Sequence, residues 1–500
     1  MRAAGILMPI FSLPSEYGIG SLGKEAIRFI DFLKSAGQSY WQILPLSPTS
    51  FGDSPYQSFS AYAGNPYFID LDLLCEDGYL CKEEYSGIEW GDGKKIDYAA
   101  LYCKRYAVLK RAYLRFIKNP PKDYSLFVKE NNAWLDDYAL FMAIKNANDG
   151  KSWDNWPDAL KLRKTDALTE AKKIYAEDYE FFKVLQYLFN KQWNFVKTYA
   201  NENGIKIIGD IPIYVAYDSA DVWCEPQQFM VDKNLRPVEV AGCPPDIFCE
   251  KGQLWGNPIY DWEYMKNDTI PYLWWCRRIE YTLKLYDVIR IDHFRGFESF
   301  YAIPFGDKDA TGGRWKKGPG IEFFNYLKQK FGEMPIIAED LGFLTDDVRD
   351  MLLQSGYPGM KVLEFAFDCS SDSEHLPHNC YKNSVVYTGT HDNDTVVGWQ
   401  ETLTAEELRF VKKYLRAENE NKLNWPMIHA AFATASDTVI IPMQDYLGLG
   451  SEGRINTPST LGENWGWRID GGCINDWLAQ IIKDVTEVYR RLPNLKKSSS

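Results

Sequence analysis

Many of the short apolar runs in this 500-residue chain end in acidic residues. Asp210 follows Ile207-Ile208-Gly209, and Asp292 closes Val288-Ile289-Arg290-Ile291. Glu339 and Asp340 close Ile336-Ile337-Ala338, and Glu364 and Asp368 stand at the end of the run 360–367. Asp392 and Asp394 follow Thr388-Gly389-Thr390-His391, and Asp445 follows Met443-Gln444. Burying so many carboxylates is costly unless they are paired or used. A structural reading is that some cap the following helices, and Asp340 and Asp394 suit that role as well as any other. Asp292, Glu339 and Asp392 each have a basic or dipolar neighbour able to tune them, and they read as functional. Arg290, two residues before Asp292, points to the same side of an extended strand. A guanidinium there favours an ionised, nucleophilic carboxylate.

Two chemistries use convergent acids. A metal site has Asp292-His293 and His391-Asp392 in its favour, but there is no H-E-x-x-H motif, and His375 and His378 fall in an apparent loop. Glycosidic chemistry needs one acid as nucleophile, another as proton donor, and polar groups for the sugar hydroxyls. It also gives a use to the aromatic content. The 17 Trp, 32 Tyr and 27 Phe make up 15% of the chain, and those outside the core suit a surface that stacks sugar rings.

The elements that must hold these residues are eight apolar runs, at 4–9, 39–46, 206–213, 287–293, 335–341, 360–367, 384–390 and 437–443. Their nearly continuous Val, Ile and Leu content fits strands buried on both faces, as in a parallel sheet. Helical periodicity follows several of them, and Thr345-Asp346-Asp347 is a helix-start signal. Eight strand–helix units predict an α/β fold, a (β/α)8 TIM barrel, with a doubly wound sheet as the alternative. The long gaps predict insertions within this single barrel of residues 1–500. They are a mostly helical subdomain over 66–180 and a Gly-, Pro- and Trp-rich lid or substrate-binding subdomain over 216–271.

Net charge is −13, which argues against nucleic acid or an anionic membrane as partner. No run approaches the ~18 apolar residues of a membrane span, and the N-terminus has no signal-peptide core. Ten scattered cysteines without C-x-x-C spacing read as reduced thiols, which predicts a cytoplasmic location.

Taken together, the motifs resemble a family. Arg290-Ile291-Asp292-His293-Phe294-Arg295-Gly296, Ala338-Glu339-Asp340-Leu341-Gly342 and His391-Asp392-Asn393 resemble three blocks of the α-amylase superfamily. The finer resemblance is to the 4-α-glucanotransferases, the amylomaltase or disproportionating-enzyme family. It rests on Gly52-Asp53-Ser54-Pro55-Tyr56-Gln57-Ser58-Phe59-Ser60, Gly64-Asn65-Pro66, Gly209-Asp210-Ile211-Pro212-Ile213-Tyr214-Val215, Pro244-Pro245-Asp246 and Gly252-Gln253-Leu254-Trp255-Gly256-Asn257-Pro258. Asn456-Thr457-Pro458 and Asn464-Trp465 add to it.

The resemblance implies that Asp292 is the nucleophile, Glu339 the general acid/base, and Asp392 a third carboxylate gripping sugar hydroxyls. It implies that Arg290, Asp210 and His391 hold the sugar at the cleavage point. Tyr56, Asp246, Gln253, Trp255, Asp368 and Asn464 are expected to contact neighbouring sugars. α-1,4-Glucans are then donor and acceptor, no cofactor is required, and the reaction is a retaining double displacement. Retention calls for carboxyls ~5–5.5 Å apart, with Glu339 raised in pKa and Asp292 held low by Arg290. A retaining hydrolase would use the same acids, and a non-catalytic glucan-binding barrel would not need them. Three residues depart from expectation. Ser459 stands where the family pattern usually has Gly, and Cys243 and Cys249 lie in the lid segment.

Overall fold

Each of the eight apolar runs contributes a strand to one parallel sheet. The computed structural model describes residues 2–50, 52–245, 250–342, 344–368 and 372–493. In chain order its strands are β1 (Ala3–Leu7), β2 (Tyr40–Gln42), β3 (Lys206–Ile211), β4 (Glu239–Cys243), β5 (Gln253–Pro258), β6 (Val288–Ile291), β7 (Ser299–Pro304), β8 (Arg314–Lys317), β9 (Ile336–Ala338), β10 (Gly359–Val362), β11 (Ser384–Tyr387) and β12 (Thr438–Pro442).

The parallel sheet runs β10-β11-β12-β1-β2-β3-β6-β9. Its two ends meet where the Ala338 N–H donates to the Pro358 carbonyl at 2.9 Å. Asp340, one of the two acids suited to a helix cap, serves this seam instead. Its Oδ1 accepts the Met360 N–H at 2.5 Å. The result is the (β/α)8 barrel expected from the sequence. Strands such as Val385-Val386-Tyr387 and Val439-Ile440-Ile441 are buried because the outer face lies under helices and the inner face fills the barrel. Inside, Tyr387 Oη donates to Gln42 Oε1 at 2.8 Å. Outside, helices such as Lys24–Ser35, Leu273–Leu285, Asp346–Ser355 and Asp476–Val488 cover the strands. Tyr286 lies so close to β3 that a Cβ on Gly209 would stand 2.1 Å from its ring, so glycine is required immediately before Asp210.

Between β2 and β3 the chain forms helices that include Tyr98–Phe116, Tyr124–Ala147 and Ala176–Glu202. Aromatic side chains fill their contacts. Trp153 and Trp156 are buried, and Trp156 packs edge-on to Trp223 at 5.5 Å. The segment 216–271 contributes β4 and β5 to an antiparallel sheet ordered β5-β4-β7-β8. The other two strands come from beyond that segment. Arg295 lies 3.8 Å from the centroid of the Trp315 ring and ties this sheet to the loop after β6.

Candidate active site

The acids gather at the C-terminal ends of the barrel strands. On neighbouring β3 and β6, Asp210 and Arg290 are register partners. Arg290 Nη1 donates to Asp210 Oδ2 at 2.6 Å and to Asp292 Oδ1 at 3.1 Å. The Asp210 and Arg290 side chains are buried, while Asp292 keeps 27% exposure toward the cleft. Tyr56 Oη also donates to Asp210 Oδ2, at 2.8 Å. Asp210 therefore holds Arg290 and Tyr56 in place, and Arg290 reaches Asp292 with the second of its contacts.

Glu339 follows β9 directly and is buried. Its Oε2 accepts the His293 N–H at 2.6 Å and its Oε1 the Leu341 N–H at 2.8 Å. The amide of the residue after Asp292 thus anchors Glu339, which makes the two carboxyls neighbours. His293 has φ +49°, a left-handed turn that takes the chain out of β6 just past Asp292. Burial pushes the His293 imidazole down to about 3, with Arg295 adding to the effect, so the ring is neutral.

The electrostatics differ from expectation at one point. Asp210 and Asp292 both bond the Arg290 guanidinium, and Glu339 acts on it by charge. Burial raises Asp292 well above the ordinary carboxylate range. Arg290 opposes this, and Asp210, Glu339 and Asp392 add to it. Burial also raises Glu339, against Arg290 and its two backbone donors. Burial and the three neighbouring carboxylates outweigh Arg290, so Asp292 is not held low. Both carboxyls are therefore shifted toward the protonated form.

Asp392 lies across the mouth. Asn456 Nδ2 donates to its Oδ1 at 2.6 Å, and His391 Nε2 lies 3.4 Å from its Oδ2. Arg454 Nη2 donates to its backbone carbonyl at 3.0 Å. Its side chain is 44% exposed. Burial lowers the His391 pKa, with Asp392 opposing, which favours a neutral ring. Tyr56 stacks on His391 with centroids 5.1 Å apart and planes at 15°. Trp465 closes this wall at 5.8 Å from Tyr56. Opposite β6, Trp255 meets His293 edge-on at 4.9 Å, and its Nε1 donates to Gln253 Oε1 at 3.0 Å.

The structure thus brings together Tyr56, Asp210, Arg290, Asp292, Glu339, His391 and Asp392, and places Gln253 and Trp255 beside them. Asn464 uses its side chain on its own loop, accepting the Thr457 N–H at 2.9 Å and donating to Thr460 O at 3.1 Å. Asp368 is exposed on the rim, where its charge acts on Glu407. Asp246 and Cys249 lie outside the described residues. Asp394 accepts the Thr395 N–H at 2.7 Å just ahead of the helix Val396–Thr402 and also accepts Ser451 Oγ. Sequence reasoning did not single out Asn456 or Trp465 as site residues and weighed His293 only as a metal ligand, although all three lie in the motif blocks. A groove of about 940 Å³ beside Trp425 and Tyr489 includes none of these carboxylates.

Among the described residues no cluster of His, Cys, Asp and Glu has the arrangement of a metal site. No helix among them is long and apolar enough to cross a membrane.

Barrel and acid cluster together define a (β/α)8 enzyme with carboxylates at the strand ends. A family profile described as 4-alpha-glucanotransferase matches residues 8–474. A 4-alpha-glucanotransferase of Clostridium butyricum is 49% identical over 487 residues, 97% of this chain and 100% of that one. One from Thermus thermophilus is 45% identical over 502 residues, 98% of this chain and 99% of that one. The structure of an amylomaltase from Streptococcus agalactiae in complex with acarbose superimposes with a TM-score of 0.96 at 42% identity, covering 99% of this chain and 100% of that one. The chain belongs to the 4-alpha-glucanotransferase family and is an enzyme of that activity.

Proposed function

We propose that this enzyme moves α-1,4-glucan segments from a donor to the 4-hydroxyl of an acceptor glucan or glucose, by a retaining double displacement through a glucosyl ester on Asp292. One observation carries the reading. Glu339 is hydrogen-bonded to the amide that follows Asp292, while Arg290 and Asp210 hold Asp292 from the other side. That pairing suits the short carboxyl separation of retaining enzymes, ~5–5.5 Å.

In the first step Asp292 attacks the anomeric carbon and Glu339 protonates the leaving glycosidic oxygen. Positive charge developing at the anomeric carbon favours ionised Asp292, which leaves Glu339 as the carboxyl that carries the proton. In the second step Glu339 takes the proton from the acceptor 4-hydroxyl. That oxygen displaces Asp292 and the α-linkage is restored. Asp392, oriented by Asn456, binds sugar hydroxyls and stabilises the transition state. Tyr56, His391 and Trp255 supply ring surfaces, with Gln253 as their polar partner. Asp246, Asp368 and Asn464 remain proposed contacts for neighbouring sugars. The segments 66–180 and 216–271 act as inserted subdomains, the latter as the substrate-binding lid. That the similar Streptococcus agalactiae amylomaltase was solved in complex with acarbose supports a glucan-like ligand.

Incubation with maltotriose tests this directly. Transfer produces glucose together with chains longer than the substrate. Hydrolysis produces only shorter chains and would replace the transferase reading with a glucan hydrolase.

A further inference from the structure

Besides Asp340, which serves the barrel seam, three acids at the strand ends have no part in the mechanism above: Glu364, Asp394 and Asp445. Two of them are satisfied. Asp445 accepts Thr388 Oγ1 at 2.5 Å and the Val396 N–H at 2.8 Å. Asp394 accepts the Thr395 N–H and Ser451 Oγ, and Arg454 Nη1 lies 3.7 Å from it. Glu364 is different. It is 7% exposed, and its Oε1 is buried without a hydrogen-bond partner. An ionised carboxylate with a bare oxygen beside two other acids is the costliest of buried groups, whereas a protonated one is tolerated.

Glu364 also lies directly behind the loop that carries Asp392. Its backbone N–H donates to the Thr388 carbonyl at 3.1 Å. A Cβ added at Gly389 would stand 2.7 Å from its Oε1. The chain of contacts then runs forward. Asn393 Oδ1 accepts both the N–H of Thr390, at 3.0 Å, and its Oγ1, at 2.8 Å. Asn393 flanks the same spot, with its Cβ 3.2 Å from that added Cβ, and its side chain acts on the Glu364 carboxyl. Thr390 Oγ1 in turn accepts the Asp392 N–H at 3.3 Å.

We propose that Glu364 is a positioning residue that sets the Asp392 loop through Asn393 and Thr390. The inference rests on the role proposed above for Asp392. The groups facing Glu364 agree with a neutral acid. Burial raises its carboxyl well above the ordinary range, Asp445 and Asp394 raise it further, and Arg454 and Asn393 oppose. The Asn393 amide needs an acceptor of fixed position, and the neutral acid provides one without adding a third negative charge. Shells of this kind orient the groups that touch substrate.

The test uses the full chain and maltotriose disproportionation. Glu364→Ala is expected to lower kcat about 10–100-fold while KM stays within about threefold, because Asp392 is displaced at the transition state. Glu364→Gln, neutral and of the same shape, is expected to be at least about tenfold more active than Glu364→Ala. Asn393→Asp sets a carboxylate against Glu364 and is expected to match Glu364→Ala. Adding Glu364→Gln to it reverses the hydrogen bond and is expected to restore about tenfold or more. This swap keeps the test decisive if Glu364→Ala fails to fold. The proposal is overturned if Glu364→Ala loses only thermal stability, if Glu364→Gln is no better than Glu364→Ala, or if the swap restores nothing. Asp392→Asn separates the two readings. If it keeps full activity, the role given to Asp392 fails. If it is inactive while Glu364→Ala is unimpaired, the positioning role alone fails.

Discussion

Asp136 in the helical insertion and Asp445 at the barrel mouth both sit on packed helices, yet their surroundings push them in opposite directions. Burial raises Asp136, but a short hydrogen bond and the charge of Lys183 outweigh it and leave the carboxyl below its ordinary value. Burial raises Asp445 to about 6 against the bonds from Thr388 and Val396, and Asp394 raises it further. Their neighbours follow suit. Asp72 and Glu84 in the insertion are lowered by Lys82 and Arg115, whereas Asp292, Glu339 and Glu364 at the mouth are raised. The aromatic rings divide in the same way. In the insertion they pack on one another and on backbone, as with Trp153, whose Nε1 donates to the Tyr217 carbonyl at 2.7 Å. At the mouth they pack on histidines that neighbour the acids, as with Tyr56 on His391 and Trp255 on His293. The insertion pairs its charges and gains stability. The mouth crowds unneutralised carboxylates, which opposes stability and leaves groups able to exchange protons.

The largest expected effect separates the two regions by kind of loss. Asp292→Asn is expected to cut transfer by about 10³-fold or more without lowering the melting temperature. Substantial residual turnover there would mean that another residue is the nucleophile. Trp153→Ala is expected to cost about 3–5 kcal/mol of stability, read by denaturant unfolding, with kcat of the folded enzyme unchanged. A kcat defect at full stability would erase the distinction.

A smaller effect tests the opposed charges. An unfolded Asp titrates near ~3.9. Because folded Asp445 titrates at about 6, its contribution to stability is fully present at acid pH and is lost as pH rises through about 6. Asp136 is lowered, so its contribution is present above the unfolded value and is lost as pH falls through the folded one. Stability of the wild type relative to Asp445→Asn should therefore decline with rising pH, while stability relative to Asp136→Asn should increase. Slopes of one sign would break the comparison. The smallest effect concerns the loop that carries Asn464. Ser459 occupies φ +64°, a conformation that favours glycine, so Ser459→Gly is expected to gain about 1 kcal/mol in thermal unfolding.

Much of this was legible before any coordinates. The eight barrel strands announce themselves because burial on both faces removes polar residues from them. Asp210, Arg290, Asp292, Glu339 and Asp392 follow from asking which polar residues end those strands. The second sheet was hidden because β8, Arg314-Trp315-Lys316-Lys317, is mostly exposed and carries no apolar alternation. Asn456 was overlooked as a partner of Asp392 because 64 residues separate them in sequence. How Arg290 divides its contacts between two aspartates depends on differences of half an ångström, which no sequence pattern records.

The central claim is that Asp292 becomes covalently glucosylated. In Glu339→Gln, an α-glucosyl fluoride still reacts with Asp292, since fluoride leaves without a proton, but the second step lacks its base. Peptide mass mapping of that variant after incubation is predicted to find one glucosyl unit on the peptide containing Asp292. A glucosyl unit on Asp392, or fluoride release with no adduct on any peptide, would contradict the account.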